Sequence, residues 1–372
     1  MESGSCTLRS FCWRPLVVMR NHYVRSSLAA QTGEILDVDD VFDTVLYTGD
    51  GGTDRAIQVG SGVDFAAKGG LVWIKNRTSA SNHVLQDTNR GAGEEKKLAS
   101  NLYSGETGSS STGYIKSFTS TGFKVDRGGT SSAEETNRSS RNYVAWCMRK
   151  AQGFFDVQTY TGNGTSGRQI SHNLDSVPGA IWIKALTNSY NRSWICYHRQ
   201  TASSSPEDYY LVLDTTAAKT NSTNFADTAP TSTYFFVGNG TNVNQSGQEY
   251  VAYIFGHNDA RFGSSQNKSI IQCGGYYGNG STNGTTVNIG WRPQFLIFKN
   301  PSHASMNWRM YDTERGIPSG LDPRLMPNTT DAEQTTFDKL DLTSTGFKTQ
   351  HTGSDMNQNN TLITYIAIRE PW

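Results

Sequence analysis

The chain has 372 residues, with 33 basic and 33 acidic side chains and a formal charge of zero at pH 7. Nucleic-acid and membrane-surface binders need a net basic field, and this chain has none. Charged residues make up 18 %, aromatics 11 %, and there are 37 glycines; this is the reverse of a disordered composition and fits a turn-rich globular protein of two to four domains at roughly 100–200 residues each.

The first thirty residues stand apart. They hold Arg9, Arg14, Arg20 and Arg25, several serines, and Glu2 as the only acid. An organelle transit peptide has that composition. The competing reading, preferred here, is an upstream start codon with residues 1–18 untranslated and Met19 as the natural beginning. The run Leu16-Val-Val-Met19 is too short for a secretory core, and no apolar run reaches the roughly 18 residues of a membrane span. Cys6, Cys12, Cys147, Cys196 and Cys273 lack CxxC spacing, so neither a disulfide framework nor a zinc knuckle is expected.

From Leu36 onward the chain repeats itself. Tyr47-Thr-Gly-Asp-Gly51 returns as Tyr160-Thr-Gly-Asn-Gly164 and Tyr276-Tyr-Gly-Asn-Gly280. Trp73-Ile-Lys75 returns as Trp182-Ile-Lys184 and Ile297-Phe-Lys299. Ser120-Thr-Gly-Phe123 matches Thr231-Ser-Thr-Tyr234 and Ser344-Thr-Gly-Phe347, and Tyr143-Val-Ala-Trp146 matches Tyr250-Val-Ala-Tyr253 and Tyr365-Ile-Ala-Ile368. The order is constant and the spacing is roughly 110–115 residues, the signature of tandem modules. Three modules are expected, at 41–152, 153–262 and 263–372, behind an N-terminal segment at 1–40.

Within each module the pattern is that of strands. Leu71-Val-Trp-Ile74, Ala180-Ile-Trp-Ile183 and Phe295-Leu-Ile-Phe298 are short, continuous apolar runs that each lead into a Lys. Such runs suit a strand buried on both faces. Asn-Gly pairs at Asn163-Gly164, Asn239-Gly240, Asn279-Gly280 and Asn283-Gly284 supply tight turns. The fold class expected is all-β, three tandem antiparallel β-sandwiches. The first join, Arg149 to Gly153, is short and implies close packing; the second, His257 to Lys268, reads as longer and looser.

Four motifs bear on chemistry. Gly162-Asn-Gly-Thr-Ser-Gly167 spells a dinucleotide fingerprint, but no helix start follows it to hold a pyrophosphate. Cys196-Tyr-His198, with His172, lacks a second ligand pair and is expected to be packed or solvated. Asp87 and Asp312 each stand three residues before an Arg, as a turn held by an ion pair would require. Trp194 and Trp308 occupy matching places after the Lys-ended strand. They are the candidate sugar-stacking aromatics, with a core role as the favoured alternative. Asn-x-Ser/Thr triplets such as Asn76-Arg-Thr78 and Asn191-Arg-Ser193 follow from the Asn, Ser and Thr surplus. No catalytic residue, metal ligand or cofactor is expected.

The stretch Leu36-Asp-Val-Asp-Asp-Val-Phe42 leading to Tyr47-Thr-Gly, followed by Gly70-Leu-Val-Trp-Ile-Lys-Asn-Arg77, resembles tail-fibre-like virion proteins of marine podoviruses, the phages of cyanobacteria and pelagic bacteria. So do Phe155 to Gly164, His172-Asn-Leu174, Pro178 and Trp182-Ile-Lys184. The likeness runs from about Leu36 to about Phe255; the third module has diverged. That resemblance implies concanavalin-like jelly-roll modules in a non-enzymatic virion part on the tail or capsid surface. It further implies docking to other virion proteins through the N-terminal segment, self-association as a trimer, and contact with a host surface polysaccharide. A capsid decoration protein, a lectin-like adhesin and an envelope glycan depolymerase are the alternatives. Nucleic-acid binding and membrane insertion are not expected.

Overall fold

The structure, a computed structural model, describes residues 1, 34–60, 62–106, 111–130, 134–187, 192–317 and 320–372. Most of the N-terminal segment, with Cys6, Cys12 and Met19, lies outside the described residues. Residues 35–372 form one compact unit.

Alternation of inward and outward side chains makes the strands. In the first third these are β1 (Phe42–Thr48), β2 (Arg55–Gln58), β3 (Gly70–Asn76), β4 (Val84–Asp87), β5 (Tyr114–Thr119), β6 (Gly122–Asp126) and β7 (Asn142–Arg149). They build a four-stranded sheet, β1-β7-β3-β4, and a three-stranded one, β2-β6-β5. The second third holds β8 (Phe155–Thr161), β9 (Arg168–Ser171), β10 (Ala180–Ala185), β11 (Ile195–His198), β12 (Tyr209–Val212), β13 (Thr220–Asn221), β14 (Tyr234–Val237) and β15 (Glu249–Phe255). Its large sheet runs β8-β15-β10-β11-β12-β13, opposite the pair β14-β9. The last third holds β16 (Ile271–Tyr277), β17 (Thr286–Asn288), β18 (Pro293–Lys299), β19 (Arg309–Asp312), β20 (Leu340–Thr343), β21 (Gly346–Thr349) and β22 (Leu362–Arg369). Its sheets are β16-β22-β18-β19 and β17-β21-β20. The fold is all-β and antiparallel, and in each third the first strand lies beside the last. Among the described residues helix is limited to single turns, Phe65–Lys68 and Thr241–Asn244 among them. Among the described residues no helix is long and apolar enough to cross a membrane.

Each large sheet is buried on both faces, and the two faces meet different things. Val72 and Ile74 of β3, with Tyr143 and Ala145 of β7, face the small sheet and close a local core. Leu71, Trp73, Val144 and Trp146 point the other way, into a core shared by all three thirds. The same division recurs: Trp182, Tyr253 and Phe255 against Ile181, Ile183 and Tyr250 in the second third, and Phe295, Ile297 and Ile366 against Leu296, Phe298 and Ile363 in the third. The shared core is aromatic and closes in a ring. Trp73 meets Trp182 at 5.9 Å, Trp182 meets Trp308 at 6.4 Å, and Phe295 meets Trp146 at 6.1 Å and Phe42 at 5.6 Å. These tilted and edge-on geometries suit the ring quadrupole.

The second join is anchored where the sequence suggested looseness. Phe262 sits in the shared core, and Gly263 donates its backbone N–H to the Leu36 carbonyl at 2.9 Å. The third copy also has a different register from the one its letters suggest. β3 pairs Trp73 with Trp146, β10 pairs Trp182 with Tyr253, and β18 pairs Ile297 with Ile366. Ile363, not Tyr365, is therefore the counterpart of Tyr143 and Tyr250. A slip of two leaves every side chain on its original face, so hydrophobic patterning cannot reveal it.

Candidate functional site

The Tyr-x-Gly-x-Gly loops are built alike in each third. Tyr47, Tyr160 and Tyr276 donate their hydroxyls to the carbonyls of Thr136, Val243 and Met356 at 2.7, 2.7 and 2.5 Å. The next residue is each time a buried Asn, at 137, 244 and 357. Its side-chain oxygen accepts the backbone N–H of Asp50, Asn163 or Asn279, and its amide donates back across the loop. The dinucleotide-like spelling has the same origin. A Cβ at Gly162 would lie 2.1 Å from the Gln245 carbonyl, while Gly164 and Gly167 both have φ of +74°. These glycines serve a close backbone approach and two left-handed positions, which only glycine meets without strain.

The ring of thirds is closed by one set of hydrogen bonds used at every junction. The side chain that precedes β4, β11 and β19 is His83, Trp194 and Trp308. Trp194 donates its indole N–H to the Ala99 carbonyl and Trp308 to the Val212 carbonyl, each at 2.9 Å. His83 accepts the Trp73 indole N–H on Nδ1 at 2.9 Å, so its proton resides on Nε2 and is donated to the Met326 carbonyl at 3.1 Å. The lysines that end the apolar runs are fully buried. Lys184 Nζ reaches the Tyr103 carbonyl at 2.8 Å, Lys299 Nζ the Thr216 carbonyl at 2.9 Å and Lys75 Nζ the Thr330 carbonyl at 3.2 Å. Backbone N–H groups of Glu106, Lys219 and Glu333 donate to the carbonyls of Leu186, Pro301 and Arg77. Each third thus holds its predecessor, and the third is held by the first. Desolvation brings all three lysines down to about 8.

Trp194 and Trp308, the candidate stacking aromatics, are 0 % and 4 % exposed. Both rings lie in the shared core and spend their N–H on the junction, so they offer no face to a sugar. Cys196 belongs to the same core, and burial pushes its thiol well up. His198 uses both ring nitrogens on backbone: Nδ1 accepts from Gln200 N–H at 3.1 Å and Nε2 donates to the Tyr365 carbonyl at 3.0 Å. Desolvation holds it down to about 3, hence neutral. Among the described residues no group of three or more His, Cys, Asp or Glu side chains is placed to hold a metal. Asp87 and Asp312 each bind their following Arg, Arg90 and Arg315, at 2.6 Å. They also anchor the neighbouring third, through the Tyr253 hydroxyl on Asp87 at 3.0 Å and the Trp146 indole on Asp312 at 2.9 Å.

One open feature lies at the junction of the first two thirds. It is a polar cleft of 420 Å³ between Asn89, Arg90, Lys96 and Glu106 on one side and Thr159, Tyr160, Thr161, Leu186, Glu249 and Tyr250 on the other. Glu106 accepts from Arg90 at 3.1 Å and lies 3.4 Å from the more exposed Lys96. Individual charges were visible in the sequence, but nothing in it placed Glu106 opposite Glu249.

Fold and cleft together define an all-β repeat protein whose three sandwiches close on one core and which carries a polar cleft at a junction. The chain belongs to a family described as a domain of unknown function, DUF7483, which it matches over residues 37–371. That single match spans all three thirds, as the shared core does. No curated protein and no solved structure matches the chain.

Proposed function

We propose that this protein is a structural component of a bacteriophage virion, part of a tail fibre or similar appendage, and that it acts without catalysis. The observation that supports this reading is the closed ring: three sandwiches on one aromatic core, bonded in the same way at every junction. Such a body needs no metal, disulfide or cofactor for rigidity, which suits a part that must persist outside a cell. The sequence resemblance to podoviral tail-fibre-like proteins points the same way. In this reading the N-terminal segment, up to about residue 40, docks the ring to other virion proteins, the turn-rich loops face outward towards a host surface polysaccharide, and copies associate as a trimer.

Immunogold electron microscopy of virions encoding this chain, with antibody against residues 263–372, tests the assignment. Gold on the tail is expected. Gold over the capsid would favour a decoration protein, and unlabelled particles would overturn the virion reading. Sedimentation of the purified chain reads the trimer directly.

A further inference from the structure

The charges that line the cleft between the first two thirds balance: Arg90 and Lys96 are its cations, Glu106 and Glu249 its anions. The junction of the last third with the first shows that this balance is kept through four exchanges. Arg77, Glu314, Pro323 and Asn142 there correspond to Leu186, Asn89, Lys96 and Glu249 here, so a cation and an anion are lost and one of each is gained. Arg77 reaches across that junction to Glu333 at 2.7 and 2.9 Å. The shorter Leu186 stands instead beside an open space of 420 Å³, within the range of small-ligand sites.

Unspent polar groups line the wall supplied by the second third. Thr159 and Thr161 share one face of β8, about 7 Å apart, and Glu249 of β15 is paired directly with Thr161. All three are exposed, and among the described residues their side chains have no hydrogen-bond partner. At the junction of the last third with the first the same positions are Leu46, Thr48 and Asn142, and the Thr48 hydroxyl is spent on Asn142 at 2.9 Å. In the last third they are Gly275, Tyr277 and Leu362. On the facing wall Lys96 is 39 % exposed, with Nζ 3.4 Å from Glu106. The cleft thus offers an acceptor-only carboxylate, a donor-only ammonium and two hydroxyls that do both. A ligand whose own groups each donate and accept, a hydroxyl-rich one, satisfies all of them at once.

We propose that this cleft binds a neutral sugar unit, with neighbouring hydroxyls on the two Glu249 oxygens and further hydroxyls on Thr159, Thr161 and Lys96. Because the lining charges already balance, a uronate or an amino sugar would bring an unpaired charge and is disfavoured. The inference rests on the polysaccharide contact proposed above and gives that contact a site.

The test is saturation-transfer NMR on the full chain, with the methyl α-D-pyranosides of glucose, mannose and galactose as probes. Methyl α-D-glucuronide, methyl α-D-glucosaminide and sorbitol are the controls, for added negative charge, added positive charge and loss of the ring. Binding of at least one neutral pyranoside, more strongly than any control, is expected. Glu249→Ala should weaken it about tenfold, the worth of one hydrogen bond to a charged group. Thr161→Tyr, which installs the residue found at this position in the last third, should abolish it. Silence of all three pyranosides overturns the proposal, as does equal binding of a control. Undiminished binding in both variants overturns the cleft and leaves a polysaccharide contact elsewhere on the chain. Should Thr161→Tyr misfold, Glu249→Ala, at an exposed position, decides alone. Immunogold labelling of virions is independent of these readings, so a failed cleft and a failed virion assignment are told apart.

Discussion

Lys299 gives the most direct probe of the closed ring, because its titration depends on burial at a junction. Its ammonium is buried between the Thr216 carbonyl at 2.9 Å and the Met306 carbonyl at 2.5 Å, and desolvation lowers it from the ordinary 10.5 to about 8. Between pH 8 and 10.5 the folded chain has released this proton while the unfolded chain still holds it. The unfolded state therefore binds more protons, and stability rises with pH by about 1.4 kcal/mol per unit over that window. The contribution is complete above the unfolded value and is lost as pH falls through 8. Lys299→Met removes the titration and keeps most of the volume. The buried cysteines and tyrosines also titrate differently on unfolding, but they do so in both proteins and cancel in the difference, as separate sites do. The group is half deprotonated at pH 8, so the wild type should gain about 1 kcal/mol on Lys299→Met between pH 8 and pH 9, read from urea unfolding followed by tryptophan fluorescence. Lys75 and Lys184 should behave alike. A difference that stays flat from pH 7 to pH 9 would refute burial of this amine at a closed junction.

Further outcomes follow from the same geometry. Gly162→Ala should cost on the order of 2–4 kcal/mol, because a Cβ there meets the Gln245 carbonyl at 2.1 Å, whereas Gly167→Ala, with open space and φ of +74°, should cost about 1–2 kcal/mol; equal costs in chemical denaturation would contradict the turn reading. Asn244→Ala leaves the buried loop without its amide donors to Thr165 and Gly238, and a loss of about 2–4 kcal/mol should appear in the same assay. Trp308→Phe orphans the Val212 carbonyl at a junction and should cost about 1–3 kcal/mol. A chain ending at residue 262 opens two junctions and bares one side of the shared core, so it should bind hydrophobic dye and lose cooperative unfolding; a single sharp transition at the full-length midpoint would show that the thirds fold independently.

Much of this was legible in the sequence. The triple recurrence of Tyr-x-Gly-x-Gly and of the Lys-ended runs marked the copies, and the continuous apolar runs announced strands buried on both sides. The Asp-Thr-x-Arg pairs read correctly as ion-paired turns. The register of the last strand was misread because Tyr365-Ile-Ala resembles Tyr143-Val-Ala, and a shift of two costs nothing in pattern. A better signal was present: Asn137, Asn244 and Asn357 each stand six residues before the true counterparts Tyr143, Tyr250 and Ile363. The candidates Trp194 and Trp308 failed for a different reason, since an indole that stacks on a sugar and one that bonds across a junction have the same letter and the same flanking polarity.

Local chemistry fixed what depends on neighbours along the chain: strand periodicity, glycine at left-handed positions, and the number of copies. Burial is non-directional, so an apolar face states that it must be covered without stating by what. Only the tertiary structure could decide that the second face of each large sheet meets the other two thirds, and that Lys75, Lys184 and Lys299 end in a neighbour's carbonyls.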